Sequence, residues 1–70
     1  MTEHIGNYVY FLHMPGTGNI LKLDNRVWNM LGKEDECLAK ARGEYDSIRV
    51  MLPHGIKLEM CLNGRTIERG

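Results

Sequence analysis

Asn63-Gly64 is the most constraining feature of this sequence. It stands between an alternating run, Ile56-Lys57-Leu58-Glu59-Met60-Cys61-Leu62, and the shorter segment that contains Ile67. A two-residue hairpin loop of type I′ needs positive φ at both central positions, and asparagine followed by glycine meets that need at little steric cost. The dipeptide predicts a hairpin with Met60 opposite Ile67. Ile56, Leu58, Met60 and Leu62 then share one apolar side, and Lys57, Glu59 and Cys61 share the other.

A second alternation precedes it. Ile48, Val50 and Leu52 interleave with Arg49 and Met51, and Pro53-His54-Gly55 follows as a turn. A three-residue loop with Gly55 left-handed sets Leu52 against Ile56, Val50 against Leu58 and Ile48 against Met60, with Arg49 meeting Glu59 on the opposite side. The expectation is a three-stranded meander whose buried side holds Ile48, Val50, Leu58, Met60 and Ile67.

In the first half, Tyr8 to His13 and Ile20 to Leu23 flank Pro15-Gly16-Thr17-Gly18. This reads as a hairpin pairing Leu12 with Leu21 and Tyr10 with Leu23. Asp24 is a plausible N-cap for a short helix carrying Val27, Trp28, Met30 and Leu31, with Gly32 as its stop. Glu34, Asp35 and Glu36 then crowd the start of a second helix, Lys40 and Arg42 its end, and Gly43 the position beyond, in keeping with the helix dipole. Cys37, Leu38 and Ala41 form its buried face.

The predicted order is ββ(αα)βββ, an α+β domain spanning residues 1–70. A mainly antiparallel five-stranded sheet carries one or two short helices on one face. A hairpin, a crossing helix and further strands in that order is similar to the β-grasp topology of ubiquitin-like proteins. The resemblance is one of element order. Because the sequence ends Glu68-Arg69-Gly70 rather than Gly-Gly, it implies no conjugation role.

Seventy residues leave room for one core, and 43% hydrophobic with 26% charged residues is an ordinary globular composition. A chain of this size folds with a margin of about 3–5 kcal/mol. Nine basic residues balance nine acidic ones, so no whole-molecule field draws the chain to nucleic acid or anionic membrane. No apolar run approaches the roughly 18 residues of a membrane span, and Met1-Thr2-Glu3-His4 lacks the basic start of a signal peptide. The expected location is cytoplasmic, with no membrane association.

Chemistry-bearing residues are present but scattered. His4, His13, His54, Cys37 and Cys61 show no metal-ligand spacing, so neither metal nor cofactor is expected. Cys37 belongs to the helical side and Cys61 to the far side of the sheet, which separates them beyond disulfide reach. Cys61 is expected as an exposed thiol, more reactive than Cys37, with no base beside it in sequence. Glu34, Asp35 and Glu36 splay around a helix axis, and the Gly-x-Gly of the first turn joins strand to strand rather than strand to helix. No enzyme is expected.

What remains is a surface. Val9, Phe11, His13, Ile20 and Lys22 point away from the helices and carry more apolar area than the outward side of the meander, Arg49, Lys57 and Glu59. Apolar anchors with a polar rim suit a partner-binding face, self-association into a homodimer included. The expected function is a small protein-binding module that acts as an adaptor, inhibitor or subunit, of the kind mobile genetic elements use to regulate host proteins. The alternative is a single-stranded nucleic-acid-binding protein using Phe11, His13, Lys22 and Arg26. Against it stand the zero net charge and the placing of Glu59 and Glu68 on the same side.

Overall fold

The computed structural model describes residues 4–70. Its elements are β1 (Ile5–His13), β2 (Ile20–Asn29), α1 (Glu34–Met51), β3 (Lys57–Leu62) and β4 (Arg65–Arg69). The strands form one antiparallel sheet in the order β2-β1-β3-β4, and α1 packs on one face of it. The α+β, antiparallel architecture is as expected. The sheet has four strands rather than five, and among the described residues there is one helix rather than two.

The missing strand is the C-terminal half of α1. Cys37, Ala41, Tyr45, Ile48 and Leu52 recur at intervals of three and four, a helical stripe that outweighs the three-point alternation of Ile48, Val50 and Leu52. Cys37, Ala41 and Tyr45 are buried, and Leu38, Ile48 and Leu52 pack partly buried against the core. Val50, placed in the core by the strand reading, is 79% exposed. Gly43 is an interior position of the helix rather than its stop, and the helix begins, as expected, with Glu34, Asp35 and Glu36 in its first turn.

The short helix expected after Asp24 is instead the second half of β2. Asp24, Asn25, Val27, Trp28 and Asn29 are all indifferent or poor helix formers, and a helix of two turns does not repay its nucleation cost. Pairing with β1 satisfies the same backbone, with Arg26 opposite Tyr8 and Trp28 opposite Gly6. Trp28 also lies tilted against Tyr8, the ring centroids 5.4 Å apart. Leu12 faces Leu21 as predicted. A bulge then takes Leu23 out of register, so that Tyr10 faces Asp24 instead of Leu23.

Asn63 (φ 51°) and Gly64 (φ 82°) form the predicted turn, and Leu62 pairs with Arg65 across it. A second bulge, between Met60 and Cys61, sets Met60 against Glu68 rather than Ile67. Ile67 still packs on the core, beside the fully buried Leu58 and Met60. The remaining core is tyrosine-rich, with Tyr8, Tyr10 and Tyr45 all buried.

Candidate functional site

Strand β1 is central, and successive side chains of a strand point to opposite faces. Tyr8, Tyr10 and Leu12 enter the core under α1, so Val9, Phe11 and His13 stand on the face that α1 leaves uncovered. Cross-strand pairing extends each of them into a row. Asn25, Val9, Cys61 and Thr66 form one row, Lys22, Phe11, Glu59 and Arg69 the next, and Ile20, His13 and Lys57 the third. The five residues singled out in the sequence, Val9, Phe11, His13, Ile20 and Lys22, therefore share one face. Val9, Phe11 and His13 are half-buried at its centre, and Ile20 and Lys22 are exposed at its β2 margin.

A carboxylate organises the middle of this face. Glu59 accepts hydrogen bonds from His13 Nε2 at 2.6 Å, from the Thr66 hydroxyl, and from the Cys61 thiol at 3.5 Å. The bonds from Thr66 and His13 hold its carboxyl below the usual carboxylate range. Cys61 is buried at 9% exposure, and burial pushes its thiol pKa up. The exposed, reactive thiol expected at this position is thus a shielded thiol, since β1 and β4 flank β3 on both sides. Both cysteines are free.

Sequence reasoning missed part of the face. Asn25 and Val27 belong to it through their pairing with Val9 and Asn7, and the helix reading of this segment hid them. The alternation of Asn25, Val27 and Asn29 with Asp24, Arg26 and Trp28 was the available signal. Glu68, expected on the same side as Glu59, lies on the other. The bulge in β4 turns it toward the helix, where it pairs with Arg42 at 3.2 Å. Arg26, grouped with Phe11 as a nucleic-acid contact, also lies on the helix side, where it bridges Asp24 at 2.8 Å and Glu44 at 3.1 Å.

The electrostatics of the open face follow. Among the described residues, register places Lys22, Lys57 and Arg69 there against the single carboxylate of Glu59. A molecule with no net charge therefore presents a locally basic rim around an apolar centre.

Among the described residues, no three His, Cys, Asp or Glu side chains are grouped to hold a metal ion, and no helix is long and apolar enough to cross a membrane. No family model, curated protein or solved structure matches the chain.

Proposed function

We propose that this chain is a protein-binding module, an adaptor, inhibitor or subunit, that engages its partner through the open sheet face. One observation carries the reading. Among the described residues a single helix covers one face of the sheet, and the face it leaves open holds Val9 and Phe11 at its centre with Ile20 and Val27 more than half exposed at its margin. Apolar anchors inside a polar rim are the usual anatomy of a protein interface. The surplus of Lys22, Lys57 and Arg69 over Glu59 favours a partner whose contact surface is apolar and ringed by carboxylates.

The same surplus supports a second reading, single-stranded nucleic acid stacked on Phe11 and His13, because Glu68 no longer opposes it from this face. Affinity capture from lysate of the native host, with and without nuclease and across a salt series, separates the two. A protein partner survives nuclease and is retained as salt rises. Nucleic acid is lost to nuclease, and its binding falls steeply with salt and with Lys22→Ala.

A further inference from the structure

Strand β2 is the longer edge of the sheet, ten residues without a proline, and among the described residues it has a strand partner on one side alone. The other edge, β4, is five residues long and carries Arg65, Glu68 and Arg69. Natural sheets blunt an edge with short strands, charges and prolines, because unpaired N–H and C=O groups recruit another strand. By that standard β4 is the better protected edge, since β2 spreads Lys22, Asp24, Arg26 and one bulge over twice the length. Helix α1 packs mainly over β1 and β3, and it reaches β2 through the Arg26–Glu44 ion pair. A groove of about 890 Å³ is left between α1 and the helix side of β2, and Leu23, Trp28, Ile48 and Met51 help to line it. Leu21 and Leu23, on the same strand, are both exposed.

We propose that the occupant of this edge is a second copy of the chain, paired antiparallel along β2 about a two-fold axis at Asn25. Among axes at the middle of the strand, charge selects the register. An axis at Asp24 opposes two carboxylates, and an axis at Arg26 opposes two guanidiniums. An axis at Asn25 sets Asp24 against Arg26 of the second copy, and symmetry makes the ion pair twice. The bulge that displaces Leu23 then brings Trp28 opposite Leu21 of the second copy and Val27 opposite Lys22. Sidedness agrees, because Trp28 and Leu12, the strand partner of Leu21, both pack on the core under α1. Asp24 already accepts a hydrogen bond from the Asn25 N–H at 2.7 Å and pairs with Arg26 of its own chain, and a carboxylate has lone pairs for a further donor. The result is a continuous eight-stranded sheet with both helices on one side and the two open faces joined on the other. It uses a surface distinct from the centre of the open face and stands or falls independently of the function proposed for it.

Sedimentation equilibrium of the intact chain tests the pairing, with a species of about twice 8.1 kDa expected. Arg26→Asp gathers four carboxylates at the axis and Asp24→Arg four guanidiniums, so each variant alone is expected as a monomer. Mixed one to one, they are expected to form a heterodimer, since each then supplies what the other lacks. Mixing cannot repair a misfolded monomer, so recovery in the mixture reports the interface itself. Circular dichroism of each variant checks the fold. As a second readout on the otherwise native chain, Asn25→Cys places two thiols at the axis within disulfide reach, whereas Lys22→Cys does not. Oxidation is expected to cross-link the first and not the second. A native chain that stays monomeric at high micromolar concentration, a mixture that stays monomeric, or equal cross-linking at both positions overturns the proposal.

Discussion

Tyr10 and Tyr45 tie sheet and helix together from opposite directions. The Tyr10 hydroxyl, on β1, donates to the Ala41 carbonyl of α1 at 3.3 Å, and the Tyr45 hydroxyl, on α1, donates to the Leu58 carbonyl of β3 at 2.9 Å. Burial of these rings raises both pKa values, that of Tyr10 to about 12 from the ordinary 10.0. A folded pKa above the unfolded one means that the unfolded chain releases its proton first. Stability from each group is therefore full below the ordinary 10.0 and is lost as pH rises through its folded value, about 12 for Tyr10. Absorbance titration at alkaline pH is expected to show tyrosinate appearing together with unfolding, not before it. Tyr45→Phe should cost about 1 kcal/mol at neutral pH, the net worth of one hydrogen bond, because the Leu58 carbonyl keeps the Gly70 N–H as a donor at 3.1 Å.

Gly43 sits inside α1, and a Cβ built there meets nothing within 4 Å. Gly43→Ala should therefore stabilise the domain by about 0.5–1 kcal/mol, the interior-helix difference between the two residues. Denaturant unfolding measures it. A loss of stability would show that this position ends a helix, as the sequence pattern first implies, instead of continuing one.

That position marks where the sequence is ambiguous. The Asn63-Gly64 turn, the Leu12–Leu21 pair across a short loop and the acidic start of α1 are each encoded locally and are legible without the fold. The segments from Asp24 to Asn29 and from Glu44 to Met51 are decided by distant partners. β1 holds the first as a strand, and the tyrosine-lined core rewards the helical stripe of the second over its local alternation. The open face was legible because alternation in β1 settles it. Its Asn25–Val27 extension and the removal of Glu68 were not, because one depends on the β2 pairing and the other on a bulge.

Glu59 makes the open face sensitive to acid. Its folded pKa lies below the ordinary 4.5, so the stability it contributes is present above that value and is lost as pH falls through the folded one. Glu59→Gln is expected to be less stable than the parent by about 1–2 kcal/mol at pH 7, as for hydrogen bonds to a charged group. The gap should close on acidification below pH 4.5. A gap that persists unchanged in acid would mean that the carboxylate charge contributes nothing.

Cysteine labelling gives an independent check on β3. Cys37 and Cys61 are both buried, and the Cys61 thiol is held protonated. Both are expected to react with a thiol probe only as fast as the domain opens, at rates that rise together with denaturant. Fast labelling of Cys61 in the native state would place β3 differently.

Phe11 is the most direct test of the proposed function, because it lies at the centre of the open face and outside the core under α1. Thermal unfolding of Phe11→Ser and Phe11→Glu should be followed beside titration of the captured partner. A stability loss of no more than about 1 kcal/mol is expected, as for a half-buried side chain on an open face. Affinity should fall by about 2 kcal/mol or more, roughly thirtyfold. If Phe11→Glu unfolds the domain, this side is a second packed face. If it leaves partner affinity unchanged, the partner is bound elsewhere, and either result rules out the open face as the binding surface.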